Sequence, residues 1–402
     1  VPSTITYTSA VSGGTITSNG GATITVSGIC WGTSLNPVAT GSHTTDGTIT
    51  GTFPSTMTGL SAGTTYHVRA YATNSAGTGY GNDLSFTTTA ATAPVLTTAA
   101  ITSLTVTTAV SGGTITSNGG ATITVSGICW ATTSGPVATG SHTTDGTTSG
   151  TFASTMTSLS QGTQYFVRAY ATNSVGTAYG NELSFNTKMA DVDGNTYNTV
   201  TIGLQVWMAE NLKTTKYSDA SHTAIPVVTG DAAWAALNIP AYCWYNNDAA
   251  NKNIYGAIYN WFTVNTGLLC PTGWHAPTDV EFQTLELSIG IPADTVGLYG
   301  YRGTLSAAGD KMKNTTGWPA GENGTNTSGF AGLPGGYRYA ITGSFNDAGD
   351  LAYWWTNTSY SVPTSAWYRR LDGLTPDNVN DHRVYRSNVD KQGGKYVRCV
   401  KD

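Results

Sequence analysis

A chain of 402 residues has room for roughly two to four domains. Charged residues make up 10%, far below the roughly 25% usual in globular proteins, and a net charge of −5 leaves no basic footprint for nucleic acid or for an anionic membrane surface. No apolar run reaches the roughly 18 residues that cross a bilayer. The chain starts at Val1 with neither Met nor an apolar export segment, which reads as a mature chain whose signal has been removed, or as a recombinant product.

In chain order, the first elements come in two copies. Residues 11–88 and 110–187 align without a gap at an offset of 99, and Ala10–Trp31 recurs unchanged as Ala109–Trp130. Such near-identical modules usually act as spacers, stalks or array units. In each copy, stretches such as Thr23–Trp31 and Thr65–Thr73 alternate apolar and polar residues with period two. They are separated by Gly-, Asn- and Ser-rich turn clusters. Several short strands in about 90 residues predict a β-sandwich. Up to residue 187 the only basic residues are Arg69 and Arg168, and the only acidic ones are Asp46, Asp83, Asp145 and Glu182. Thr, Ser and Gly solvate the surface instead. Charged edge residues are a common defence against strand pairing, so a surface without them is suited to association. Cys30 and Cys129 hold the same repeat position among alternating apolar residues and are expected to pack as small hydrophobes.

Gly59–Thr88 and its copy at Ser158–Thr187 resemble the C-terminal half of a fibronectin type III-like module. In that resemblance Leu60 with Tyr66, and Leu159 with Tyr165, form the tyrosine corner. The Gly-Ile-Cys-Trp segment, a Thr/Ser loop and then Pro37 or Pro136 resemble the version common in surface proteins of the Bacteroidota. The resemblance implies a fold and a spacer role. The second copy opens with an apolar stretch after Pro94 (Ala93–Thr98), which reads as its first strand. By the offset of 99, Val1 matches Ala100, so the first copy has no counterpart of Pro94–Ala99. Three explanations stand at this point: repeats upstream of a truncation, Val1–Thr8 filling the place, or a strand donated by another subunit.

From about Met189 the composition changes. Nine of the eleven Trp and 16 of the 18 Lys plus Arg lie beyond residue 187. Asp191–Asp219, Tyr242–Asp248, Tyr255–Trp261, Cys270–Glu286, Gly329–Arg338 and Gly393–Asp402 together resemble the Fibrobacter succinogenes major paralogous domain. That family resembles C-type lectin-like folds and, more remotely, the formylglycine-generating enzyme fold. It implies a mixed α/β domain with long loops and no chemistry to carry over. Thr278–Ser288 is the best helix, with Thr278 and Glu281 forming a capping box. Ile254–Trp261 is a second candidate. The lectin-like resemblance also implies a disulfide between Cys270 and Cys399, with Cys243 free; five reduced cysteines are the alternative.

The expected fold class is therefore mainly β and multidomain. Two tandem Ig/fibronectin-like sandwiches (1–90, lacking its first strand, and 91–188) precede an α+β C-type lectin-like domain (189–402).

Asp191, Asp193 and Asn195 have the spacing of a calcium loop, but Ile202 stands where an EF-hand needs Glu, so a hairpin turn is the better reading. Asp347 with Asp350, and Asp372 with Asp377 and Asp381, read as solvated turns. His275 and His382 have no Ser or Asp partner at motif spacing, and no nucleophile-elbow, zincin or P-loop motif occurs. An enzyme is the least expected class, with no cofactor or metal. The candidate ligand surface is aromatic: Trp318, Tyr337, Arg338, Trp354, Trp355 and Trp367, in or near Gly/Asn-rich segments. Such rings stack on sugars, form protein hot spots, or build a core.

These readings converge on an extracellular, non-enzymatic protein of a bacterial cell surface. The leading expectation is a homopolymer, a subunit that self-associates head to tail into a filament. The alternative is a monomeric adhesin whose C-terminal domain binds glycans.

Overall fold

The computed structural model describes residues 1–48, 50–373 and 381–402. The chain is mainly β and divides into two compact units. One comprises Val1–Ala100, Ser111–Thr155 and Val167–Leu183; the other comprises Ile101–Val110, Met156–Phe166 and Ser184–Asp402.

The first repeat contains β1 (Ser9–Ile16), β2 (Val26–Gly32), β3 (Ser42–His43), β4 (Gly51–Thr58), β5 (Thr65–Asn74), β6 (Gly77–Tyr80) and β7 (Leu84–Thr87). They form two sheets, β1-β4 and β3-β2-β5-β6, with β7 also on β5. Period-two alternation sends Ala10, Ile29, Met57, Val68 and Phe86 inward, where they meet with Leu60 in one core. The Ser61 amide donates to the Tyr66 hydroxyl at 2.9 Å, and Ser160 does the same to Tyr165 at 3.0 Å, closing the corner expected in each repeat. Cys30 and Cys129 are buried free thiols, and burial raises Cys129 to about 11.

The second repeat contains β8 (Val95–Thr98), β9 (Ala109–Ser117), β10 (Val125–Ala131), β11 (Ser141–His142), β12 (Gly150–Met156), β13 (Gln164–Thr172), β14 (Thr177–Tyr179) and β15 (Leu183–Asn186). Its sheets are β12-β9-β8 and β11-β10-β13-β14, with β15 on β13. Here β8 is the extra strand. Two glycines seat the repeat segments at their contacts. A Cβ on Gly120 would lie 2.4 Å from the Tyr7 ring, and one on Gly162 would lie 2.2 Å from the Trp274 ring, so no larger residue fits either place.

The remaining residues open with a hairpin of β16 (Met189–Ala190) and β17 (Thr196–Tyr197). The carboxylate of Asp191 accepts from the Asp193 and Asn195 amides and from the Tyr197 hydroxyl, so this is a turn, as its spacing suggested. Next come β18 (Thr199–Ile202), β19 (Gln205–Met208), α1 (Asp231–Ala235), β20 (Tyr242–Cys243), β21 (Ile258–Asn260), α2 (Trp261–Val264), β22 (Trp274–His275) and α3 (Asp279–Ser288). They are followed by β23 (Gly300–Arg302), α4 (Ala308–Met312), β24 (Gly335–Arg338), β25 (Phe345–Ala348), β26 (Leu351–Ser359), β27 (Ser365–Asp372), β28 (Val384–Asp390), β29 (Gly394–Lys395) and β30 (Val400–Lys401). One sheet runs β18-β19-β30-β22. The larger runs β20-β21-β29-β24-β26-β27-β28-β23, with β25 on β24.

Helix α3 carries the capping box read from the sequence: Thr278 Oγ1 accepts from the Glu281 amide, and Glu281 accepts back from the Thr278 amide at 2.7 Å. The second helix expected at Ile254–Trp261 is different. Ile258–Asn260 is strand, because it pairs with both β20 and β29, and Asn260 caps the short α2 beyond it. Tertiary pairing overrides local periodicity there.

A network of buried charge ties α3 to the large sheet. Arg369 reaches Asp279 at 2.7 Å and Glu286 at 2.6 Å, Arg302 reaches Glu286 at 2.6 Å, and Arg386 reaches Asp279 at 2.7 Å. All five residues are buried. Burial alone would raise the Asp279 carboxyl, but hydrogen bonds from Arg386 and the charge of Arg369 outweigh it and hold it at about 2.

Cys270 and Cys399 are joined by a disulfide across 129 residues, and Cys30, Cys129 and Cys243 are free. Denatured but unreduced protein is therefore expected to take up three alkyl groups, not five, by intact mass. In the chain-entropy model, removing this bridge lowers stability by about 5 kcal/mol, measurable by denaturant titration of the Cys270→Ala/Cys399→Ala variant. Arg369→Leu removes one of the two guanidinium partners of each buried carboxylate and is expected to cost about 3–5 kcal/mol in the same measurement. The contribution of Asp279 is present above its ordinary value of 3.8 and is lost as pH falls toward about 2. Acid titration of Asp279→Asn should lack that step.

Candidate functional site

The two repeats are near-identical in sequence, and among the described residues only the second carries the strand β8; the difference marks a site. In the second repeat β8 pairs antiparallel with β9, Leu96 opposite Ile115 and Thr98 opposite Gly113. Leu96 and Thr98 point inward, while Val95 and Thr97 face out. The strand is held from its other side as well. Thr98 Oγ1 accepts from the Ala169 amide at 2.9 Å, the Thr98 amide donates to Asn181 Oδ1 at 3.0 Å, and Asn173 Nδ2 donates to the Thr92 carbonyl at 2.7 Å.

At the matching positions of the first repeat these partners are present and the strand is not. A cleft of about 580 Å³ runs along Thr15, Ile16, Ala70, Asn74, Tyr80 and Gly81. Subtracting 99 from Thr114, Ile115, Ala169, Asn173, Tyr179 and Gly180 yields these same residues. Their exposure changes accordingly. Ile115, Ala169, Ala171 and Gly180 are buried, whereas Ile16, Ala70 and Ala72 are half-buried and Gly81 is exposed. Among the described residues β1 pairs with β4 on one side and, on the other, with Ser3 at Val11 alone, so the outer edge beyond Val11 is open.

Val1–Thr8 does not fill the cleft. The Ser3 amide bonds the Val11 carbonyl and Thr6 bonds Ser9, just as Thr102 bonds Val110 and Thr105 bonds Thr108 in the second repeat. The segment thus takes the place of its own counterpart, Ala100–Thr107. Among the described residues no segment occupies the position of β8.

The aromatic ligand surface expected from the sequence is not assembled. Trp354 and Trp355 are fully buried. Their indole N–H groups donate to Asn211 Oδ1 at 2.8 Å and to the Tyr259 carbonyl at 3.0 Å. Neighbours on a strand face opposite ways, and the large sheet is covered on both faces, so each ring enters a different core cluster. Trp318 is 6% exposed and donates to the Gly332 carbonyl. Arg338 is fully buried and donates to the carbonyls of Gly343, Val228 and Thr229, with Asp231 at 3.0 Å. Trp367 is half-buried beneath the Arg386 guanidinium at 3.5 Å. Tyr337 is also half-buried and packs on Tyr353. With Tyr353, Trp355 and Tyr368 it cages the Lys395 ammonium, whose buried position and neighbour Arg370 lower it to about 7.

Among the remaining described candidates Asp350 is exposed, and the others have side-chain partners. Asp347 accepts from the Tyr353 hydroxyl, Asp350 donates its amide to the Asp347 carbonyl, Asp372 accepts from Arg370 and Tyr301, and Asp381 accepts from Arg383. Asp377 lies outside the described residues. His275 sits between Glu281 at 2.7 Å and Asp402 at 2.5 Å, and His382 contacts Asp310. Sequence spacing could not reveal these partners, because they lie 6, 127 and 72 residues away. Among the described residues no group of three or more His, Cys, Asp or Glu side chains could hold a metal ion.

No curated protein matches the chain. Among solved structures it is similar to the FN1–FN3 domains of chicken CNTN1, at 15% identity and a TM-score of 0.22, covering 46% of this chain and 66% of that one. It is also similar to domains A168–A170 of titin, at 17% identity and a TM-score of 0.22, covering 42% of this chain and 56% of that one. A third is the sensor domain of the anti-sigma factor RsgI4 of Pseudobacteroides cellulosolvens, at 17% identity and a TM-score of 0.19, covering 24% of this chain and 95% of that one. The chain thus spans under two thirds of the length of the first two. Residues 200–401 match the model of the Fibrobacter succinogenes major domain. That match covers half of the protein, which belongs to the Fibrobacter succinogenes major domain family.

Proposed function

We propose that this protein is a non-enzymatic structural subunit of a bacterial cell surface, which assembles head to tail into an extracellular filament. A strand from one copy completes the first sandwich of the next. The observation that carries this reading is the open cleft beside β1, lined by the residues that hold β8 in the second repeat. The occupant it calls for is an extended segment like Val95–Thr98, with an apolar residue and a Thr on its inner face. Its backbone would pair with the free edge of β1. The same heterologous contact repeated from copy to copy produces a filament unless the rotation closes a ring. The near absence of charge on the repeats removes the usual barrier to such pairing.

The last strand of the chain is unsuited to be the donated segment. Tyr396, Val397, Arg398 and Val400 are at most 1% exposed, Cys399 is cross-linked, and β30 lies inside its sheet. An exposed loop of the C-terminal domain remains the donor. We read that domain as C-type lectin-like, a reading supported by the bridge from the segment before α3 to the chain's last residues. The aromatic glycan surface expected of it loses Trp354 and Trp355 to the core.

The test uses Gly81. A Cβ at Gly180 would lie 2.6 Å from Thr98 Oγ1, whereas one at Gly81 meets only Ala70 atoms at 3.7–3.9 Å. Gly81→Val is therefore tolerated by the isolated subunit but blocks an incoming strand. The expected result is unchanged thermal unfolding with loss of filaments in electron micrographs and of high-mass species in light scattering. A synthetic peptide of Ala93–Ala99 should bind the wild-type chain and shorten its filaments. A wild-type chain that stays monomeric at all concentrations and ignores the peptide would overturn the reading.

A further inference from the structure

The buried guanidinium groups of the C-terminal domain fall into two classes. Arg302, Arg369, Arg386 and Arg338 each have a carboxylate within 3.0 Å. Arg398, only 1% exposed, has none among the described residues. Its Nε donates to Asn211 Oδ1 at 2.8 Å and its Nη2 to the Ala331 carbonyl at 3.0 Å, while its Nη1 has no hydrogen-bond partner among the described residues. Asn211 is itself fixed by the Trp354 indole and the Tyr255 carbonyl, and the guanidinium lies over the Phe330 ring at 4.1 Å. The group is held rigidly, with donors left over. Burial lowers it to about 9, opposed by the charge of Glu210. An uncompensated cation of this kind is costly unless something else neutralises it.

Arg398 and Ala331 lie on a cleft of about 200 Å³. Lys213 and Lys252 line the same cleft, so it carries three cations against one carboxylate, Glu210. Glu210 is already engaged: its Oε1 accepts from the Asn198 amide and side chain, and its Oε2 lies 3.8 Å from Lys213. Asn253 and Asn314 add amide groups to the wall.

We infer that this cleft binds the carboxylate of a small hydroxylated acid, such as a single sugar-acid residue. Arg398 would take the carboxylate, Lys213 and Lys252 would supply further charge, and Asn253 and Asn314 would face the hydroxyls. A planar guanidinium with free N–H groups matches a carboxylate in geometry as well as charge. The site does not depend on the filament proposal.

Calorimetric titration of the full chain at low ionic strength tests it, with galacturonate, neutral galactose and inorganic sulfate as probes. Galacturonate should bind, and galactose should not. Lys252→Gln should weaken galacturonate binding by about tenfold without changing the unfolding temperature of the free protein. Arg398→Gln should abolish binding. If that variant fails to fold, Lys213→Gln serves in its place with the loss expected of Lys252→Gln. Sulfate binding as tightly as galacturonate would overturn the sugar-acid assignment and mark a site for a free inorganic oxyanion. No heat with galacturonate, or heat unchanged in both lysine variants, would overturn the site altogether and leave Nη1 to water.

Discussion

The edge of a β-sandwich must be closed by something, and this constraint organises the repeat segments. An antiparallel sheet ends in a row of N–H and C=O groups, and a sandwich end left without its strand also opens part of its apolar interior to water. The second repeat meets both needs with four residues, Val95–Thr98. Leu96 covers the interior, and Thr98 accepts the Ala169 amide while its own amide reaches Asn181. The first repeat has the same surrounding residues and leaves them open. Near-identity of sequence makes the pair an internal control: what differs between them is the strand, not the module.

The C-terminal domain solves a different problem. It has a large sheet with material on both faces, and it holds these layers together with charge as well as apolar packing. The arginines of β23, β27 and β28 converge on Asp279 and Glu286 of α3. Such a network gains little over well-packed apolar residues in net energy, but it tolerates few rearrangements, since any displaced partner leaves a buried charge. The Cys270–Cys399 bridge acts in the same sense by fixing the start of the α3 segment to the end of the chain. Against this background of paired charge, Arg398 and Lys395 stand out as buried cations without a carboxylate in contact among the described residues. Lys395 is compensated by four aromatic rings, and Arg398 faces a cleft.

What could be read from the sequence was local or periodic. The offset of 99 showed that Pro94–Ala99 has no counterpart from Val1 onward, because aligning two copies requires no knowledge of their packing. The Thr278–Glu281 spacing marked the start of α3, since a capping box lies within one turn of helix. Alternation in Thr23–Trp31 and Thr65–Thr73 announced strands, and the turn at Asp191 followed from its spacing. Tertiary structure decided the rest. Trp354 and Trp355 looked like a ligand surface because composition cannot tell a sheet with one wet face from a sheet covered on both. Ile258–Asn260 became strand because β20 and β29 lie on either side of it. Most partners of Arg398, Arg338 and the histidines are far away along the chain, from 67 to 187 residues, so no spacing rule reaches them. Sequence determined the modules and their strands. Only the fold decided which polar groups found partners, because satisfaction of a buried charge is a property of its three-dimensional neighbours.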